Sequence, residues 1–113
     1  MTRTFVYMPK FDKEWAKLGL NDDDLRQLET YLLENPNAGD IMEGTGGIRK
    51  LRWVLPNQGK SGGIRVLFID FISYEKICIF DLFPKDEKHN LTKAEKNKIK
   101  DIVKSIREEF KNE

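Results

Sequence analysis

Three apolar runs in the second half of the sequence constrain its fold more than any other feature. They read IRKLRWVL, IRVLFIDFI and KICIFDLF, at about residues 48–55, 64–73 and 76–83. Runs of this length, rich in branched and aromatic residues and bounded by turn residues, are typical of β-strands. A glycine-rich loop joins the first two runs, and residues 73–76 are expected to form a tight connection between the last two. The pattern predicts three consecutive strands of a mostly antiparallel sheet.

Basic side chains occupy alternate positions of the first run. Leu51 and Trp53 alternate with Lys50 and Arg52, so one face of this strand is apolar and the other is mostly basic. In the second run Arg65 shares a face with apolar residues, and we expect it near the strand start, where that face opens to solvent. Strands hold side chains in rigid positions, so such a cluster is suited to binding phosphates.

Charge is distributed unevenly along the chain, although the formal net charge is only +1. Residues 44–69 carry five basic residues and no acidic one, whereas residues 12–43 carry nine acidic and three basic residues. The middle of the sequence is therefore a local positive field in a nearly neutral chain, and it favours a polyanionic partner.

The remaining segments complete an α+β pattern. A short strand is predicted at residues 4–8, and two helices follow it. Residues 36–47 are predicted to be a loop, and a capping box that begins at Thr92 opens a final helix. The order is β-α-α-β-β-β-α, in a single domain that takes up residues 1–113. We expect its helices to pack on one face of the sheet.

Composition excludes several classes of protein. The single cysteine, Cys78, permits no internal disulfide, and its apolar setting indicates a buried small hydrophobe. No Cys/His cluster has metal-ligand spacing, and the sequence GKS at residues 59–61 lacks the earlier glycine that a Walker A motif requires. No apolar stretch approaches the roughly 20 residues of a membrane span. A cytoplasmic protein is expected, with Trp15 and Trp53 in its core.

Four segments in this order resemble the HigB-like branch of the RelE/ParE toxin superfamily, namely LGLNDDDLRQLETYLLENPNAGD, GTGGIRKLRW, GKSGGIRVLF and FPKDEKHNLT. The resemblance runs from about Phe5 to Ile106. It implies a small RelE/ParE-like fold and a ribosome-dependent mRNA endonuclease that acts in the A site without a metal or cofactor. It also implies a HigA-like antitoxin with a helix-turn-helix domain, through which alone the pair would bind operator DNA.

The same resemblance implies which residues act on RNA. Attack of a 2′-hydroxyl on the adjacent phosphorus requires proton transfer and cations around the phosphorane. Arg65 is expected to grip the scissile phosphate, because a planar guanidinium binds two phosphate oxygens at once. The expected catalytic residues are Lys50, Arg52, Arg65, Lys85 and Lys88, and the expected RNA contacts are Arg49, Lys60, Phe83 and His89.

One position departs from the family pattern. Related sequences often carry Tyr where this chain has Phe83, which can stack on a base but cannot transfer a proton. His89 lies in the right loop to act as the acid or base instead. The alternative is therefore a non-enzymatic toxin of the same fold, either a ParE-like gyrase inhibitor or a toxin that has lost catalysis.

Overall fold

The computed structural model describes residues 2–54, 63–85 and 90–113 of the chain. In this part of the chain a mixed sheet has five strands, which are β1 (Thr4–Tyr7), β2 (Asp40–Ile41), β3 (Arg49–Trp53), β4 (Ile64–Phe71) and β5 (Lys76–Pro84). Their spatial order is β1-β5-β4-β3-β2. β1 runs parallel to β5, and every other neighbouring pair is antiparallel. The predicted α+β fold with a mostly antiparallel sheet is confirmed.

The short strand β2 was not expected, because residues 36–47 were predicted to be a loop. Asp40 and Ile41 pair with Lys50 and Arg49 of β3. Two residues are too few to show an alternating pattern, and only pairing with the basic strand makes them a strand. The turn between β4 and β5 is a short 3-10 segment followed by Glu75, whose φ of 54° lies in the left-handed region.

Three helices flank the sheet, and side chains define where two of them begin. They are α1 (Phe11–Lys17), α2 (Asp22–Glu34) and α3 (Lys93–Lys111). Asn21 caps α2 in a reciprocal pair of hydrogen bonds with Asp24. Thr92 and Glu95 form the same arrangement at the start of α3, which confirms the predicted capping box. Each box satisfies two backbone donors that would otherwise lack a partner inside the helix.

The helices cover both faces of the sheet, so the expectation that they pack on one face is wrong. Successive residues of β4 belong alternately to two core clusters. The first cluster joins the sheet to α1 and α2 through Phe11, Trp15, Leu28 and Leu32. The second joins the opposite face to α3 through Val103 and Phe110. β4 is apolar on both faces, so each face needs its own cover from solvent.

Two further residues bear on the sequence predictions. Trp15 is 6% exposed and belongs to the first cluster, as predicted, and its indole N–H donates to the carbonyl of Asn21 at 3.0 Å. Cys78 is fully buried, which confirms its role as a small hydrophobe. Within residues 2–54, 63–85 and 90–113, none of the helices has the length and apolar character needed to span a bilayer.

Candidate nucleic-acid interface

The strand register places two arginines and a phenylalanine in one row across the sheet. Arg52 of β3 lies directly opposite Arg65 of β4, and Arg65 lies directly opposite Phe83 of β5. Residues opposite each other on antiparallel strands point to the same face, with Cβ atoms about 4.5–5.5 Å apart. The two guanidinium groups therefore project from the same face of the sheet, side by side. We call Arg52, Arg65 and Phe83 the cationic row.

Two lysines flank this row on the same face. Lys50 precedes Arg52 by two residues on β3, so strand alternation directs both side chains to one side. Lys85 follows β5, and its backbone N–H donates to the carbonyl of Gly63 at 3.0 Å. A Cβ placed on Gly63 would lie 3.6 Å from Lys85 Cδ, so the lysine stem packs over the strand start, two residues before Arg65. Four of the five expected catalytic residues are thus brought together.

Arg65 has an unusual hydrogen-bonding state. Its Nη1 atom is buried and, among the described residues, has no hydrogen-bond acceptor. A buried donor without an acceptor costs about 1–3 kcal/mol, and more where the group is charged. Arg52, directly opposite on β3, adds like-charge repulsion to this cost. An anion bound between the two guanidinium groups would relieve both effects at once.

Acidic groups lie at the margin of the row instead of within it. Asp40 is opposite Lys50 on β2, and both side chains are exposed. Asp81 lies opposite Leu67 of β4, and Leu67 in turn lies opposite Lys50 of β3. The register places no carboxylate opposite Arg52 or Arg65. The positive potential of the site is therefore strongest at the two arginines.

Arg49 lies on the other face of β3 from the cationic row. It is opposite Phe68, whose side chain belongs to the first core cluster. Its Nη1 donates to the backbone carbonyls of Asn37 and Gly39, both at 3.0 Å. The guanidinium ties the segment between α2 and β2 to the sheet. This geometry gives Arg49 a structural task, and its expected contact with RNA stays a prediction.

Phe83 forms the β5 end of the row. It is 6% exposed and packs in the second core cluster together with residues of α3. It lies opposite Arg65 on the neighbouring strand, and most of its surface is shielded from solvent. Stacking of a base on Phe83 stays a prediction. Lys60, Lys88 and His89, also expected at the site, lie outside the described residues.

A buried threonine fixes the loop that leads into the basic strand. Thr45 is fully buried, and its hydroxyl donates to the carbonyl of Met42 at 2.6 Å while it accepts the backbone N–H of Ile48 at 3.2 Å. Gly39 packs so tightly that a Cβ there would lie 2.4 Å from the carbonyl oxygen of Lys50. Both contacts position β3, so Lys50 and Arg52 rest on an ordered backbone.

Sequence reasoning missed a cleft of about 450 Å³ beside the row. β1 ends at Tyr7, opposite Ile79, while β5 continues to Pro84. The gap beyond the end of β1 is bordered by α1 and by the last residues of β5. The cleft is lined by Lys10, Glu14, Lys17, Leu18, Asp81, Leu82, Phe83 and Pro84. No sequence motif marks it, because it arises from the unequal lengths of two strands that are distant in sequence.

The part of the chain that the structure describes contains no cluster of metal ligands. There, no group of three or more His, Cys, Asp or Glu side chains is placed to hold a metal ion.

Comparison with known families gives a match over nearly the whole chain. The model of the family described as "RelE toxin of RelE / RelB toxin-antitoxin system" matches residues 3–113.

Proposed function

We propose, since this chain belongs to the RelE toxin family, that it is an mRNA-cleaving toxin whose cationic row holds the scissile phosphate. The observation that carries the proposal is the buried Nη1 of Arg65, which has no acceptor among the described residues. A phosphate oxygen is the acceptor that this geometry lacks. A second phosphate oxygen would neutralise the repulsion between Arg65 and Arg52.

The cleavage that such a site supports is an internal transfer of the phosphate. The 2′-oxygen of RNA forms a bond to phosphorus, the bond from phosphorus to the 5′-oxygen breaks, and a 2′,3′-cyclic phosphate remains. The 2′ proton passes to a base, and the departing 5′-oxygen takes a proton from an acid. Arg65 and Arg52 stabilise the charge of the phosphorane, and Lys50 and Lys85, which lie on the same face, carry the protons.

The proposal includes the partners that a site of this size requires. A small positive surface on three strands has too few contacts to position a long RNA, which is why we assign substrate positioning to the ribosomal A site. An antitoxin would inhibit by covering the row, most simply with an acidic segment, because the same guanidinium groups bind carboxylates and phosphates. A HigA-like antitoxin with a helix-turn-helix domain would carry the pair to operator DNA.

The decisive experiment compares two arginine variants from opposite faces of β3 and β4. The wild type, Arg65→Ala and Arg49→Ala are induced in bacteria, and the 5′ ends of a translated reporter mRNA are mapped. We expect new 5′ ends and growth arrest with the wild type. With Arg65→Ala we expect the cleavage to fall by at least about a hundredfold. Arg49→Ala should still cut, because Arg49 lies on the other face of β3, where it donates to two backbone carbonyls of the described residues.

Purified components separate ribosome dependence from cleavage itself. RNA that is cut on ribosomes and left intact without them would support the assignment of the A site. Equal cutting of free RNA would remove the ribosome from the proposal. Toxicity that survives Arg65→Ala, with intact mRNA, would overturn the proposed enzyme.

A second candidate, a toxin that has lost catalysis, is favoured by Phe83. The residue stands opposite Arg65 and has no proton to transfer. Phe83→Tyr adds one hydroxyl at this place and provides the test. If the wild type does not cut and Phe83→Tyr does, the chain is a degenerate enzyme. If neither cuts and the supercoiling of plasmid DNA changes, a gyrase inhibitor of the same fold is the better description.

A further inference from the structure

The cleft beyond the end of β1 has the walls that a nucleotide needs. Leu18 from the end of α1 and Pro84 from the end of β5 supply apolar surface. Lys10 and Lys17, at the two ends of α1, supply cations at its rim, and both are exposed. Its volume of about 450 Å³ falls in the range of small-ligand sites.

Two carboxylates complete the lining. Glu14 is contributed by α1 and Asp81 by β5. Asp81 Oδ1 accepts the backbone N–H of Leu82 at 2.8 Å, and this bond holds its carboxylate against the strand. A carboxylate fixed in this way is an acceptor of defined direction, which suits the reading of an amino group.

The cleft and the cationic row share a residue. Phe83 lines the cleft, and it also stands directly opposite Arg65. β5 neighbours the strand that carries Arg65, about 4.8 Å away. α1 covers the first-cluster face and the guanidinium groups lie on the second-cluster face, so the cleft and the row meet at the edge of β5 beyond β1. A nucleotide whose phosphate sits on Arg65 therefore has this cleft within reach of its own base or of the next one.

We propose that this cleft binds the nucleotide adjoining the scissile phosphate and selects adenine or cytosine, which carry an amino group where guanine and uracil carry a carbonyl. The inference rests on the proposed RNA cleavage and adds the residues that choose the cleavage position. Adenine and cytosine present an exocyclic amino donor at N6 or N4 to Glu14 or Asp81, where guanine presents its O6 carbonyl and uracil its O4 carbonyl. Lys10 and Lys17 bind the backbone phosphate and position the nucleotide without reading its base.

The test is a cleavage profile on ribosome-bound reporters in which each base is varied in turn around one cut site. The wild type is compared with Glu14→Leu and Lys17→Ala. Lys13→Ala serves as the matched control, since Lys13 is an exposed lysine of the same helix that does not line the cleft. Circular dichroism and the unfolding midpoint show that each variant is folded.

We expect the wild type to cut sites with uracil or guanine at one flanking position about tenfold less than sites with adenine or cytosine. Glu14→Leu should reduce this discrimination, Lys17→Ala should lower cutting at all sites without changing the preference, and Lys13→Ala should match the wild type. Lys17 is exposed at a helix end, so its variant keeps the test valid even if Glu14→Leu does not fold.

The possible failures are distinguishable. A wild type that cuts with the same profile and rate as Glu14→Leu and Lys17→Ala would overturn the subsite and leave the proposed cleavage intact. A preference for uracil or guanine would also overturn it, because both present a carbonyl oxygen at the position that the carboxylates read. A wild type that cuts no translated RNA would overturn the proposed function, and the subsite with it.

Discussion

Arg52 and Arg65 stand directly opposite each other on neighbouring antiparallel strands. A sheet disfavours two like charges in this relationship, since their side chains are as close as the strands allow. Other arginines of the chain are held differently: Arg3 forms an ion pair with Asp70, and Arg49 donates to two carbonyls. The contrast supports our proposal that the Arg52–Arg65 pair binds a phosphate.

Removing one member of this pair should separate activity from stability. We expect Arg65→Met to abolish RNA cleavage and to leave the free energy of unfolding unchanged or raised by up to about 1 kcal/mol, because repulsion and an unsatisfied donor are removed together. Urea denaturation measures the stability and mapping of RNA ends measures the activity. A loss of more than about 1 kcal/mol would show that Arg65 has a structural partner.

The ion pair between Arg3 and Asp70 should contribute strongly to stability. Arg3 Nε and Nη2 donate to the two carboxylate oxygens at 2.7 and 3.1 Å, and the side chains are only 9% and 6% exposed. The hydrogen bond to Asp70 raises the pKa of Arg3. Arg3→Ala leaves a shielded carboxylate without its cation, so we expect a loss of about 3 kcal/mol in urea denaturation.

The surface pair Arg26–Asp23 provides the control for this prediction. Its side chains are 72% and 80% exposed, and its N–O distance of 3.0 Å is close to that of the buried pair. Arg26→Ala should cost less than about 0.5 kcal/mol. Equal losses in the two variants would mean that burial does not set the strength of the pair at Arg3.

Gly39 should tolerate no side chain. Its φ is +80°, and a Cβ would lie 2.4 Å from the carbonyl oxygen of Lys50, which is rigid backbone of β3. We expect Gly39→Ala to cost roughly 2–4 kcal/mol, since a backbone clash adds to the strain of a positive φ. The variant should also weaken RNA cleavage, because it displaces Lys50.

Gly19→Ala isolates the contribution of φ in the same experiment. Gly19 has a similar φ of +75°, but a Cβ there meets nothing within 4 Å. Its cost should be limited to about 1–2 kcal/mol, the penalty for an L-residue in the left-handed region. If the two variants lose the same free energy, contact with Lys50 is not what requires glycine at residue 39.

Cys78 should make the stability of the protein depend on alkaline pH. Burial raises the pKa of its thiol from 9.0 to about 11. The unfolded chain releases the thiol proton first, so this stability is complete below pH 9 and is lost as pH rises toward 11. The loss should reach roughly 2–3 kcal/mol over that interval.

Cys78→Ala is the reference for that measurement. The variant is expected to be less stable at neutral pH, since a buried sulfur is removed, but its stability should fall less steeply between pH 9 and pH 11. Urea denaturation at several pH values gives both slopes. Identical slopes would place the thiol in contact with solvent, which its full burial argues against.

The sequence allowed the central strands and helix starts to be predicted because their signals are local. Alternation in residues 48–55 and the capping box at Thr92 are each complete within a few residues. The two-sided packing was missed because a near-continuous apolar run such as β4 does not show which helix covers which face.

The site was predictable in its composition and not in its arrangement. Lys50 and Arg52 share a face by alternation alone, whereas the opposition of Arg52 and Arg65 depends on strand register, a tertiary property. The structural task of Arg49 depends on a loop twelve residues earlier in the sequence. The cleft beside β5 depends on where β1 stops, which no local pattern in β5 reveals.

The parallel pairing of β1 with β5 has a consequence for the newborn chain. β1 finds its neighbour only after β5 has been made, and Arg3 pairs with Asp70, which lies 67 residues later in the sequence. Contacts that span such distances form late in folding. Incomplete translation products would therefore lack the pairing of β1 with β5. A cell that halts synthesis of this toxin midway should suffer no harm from the fragments.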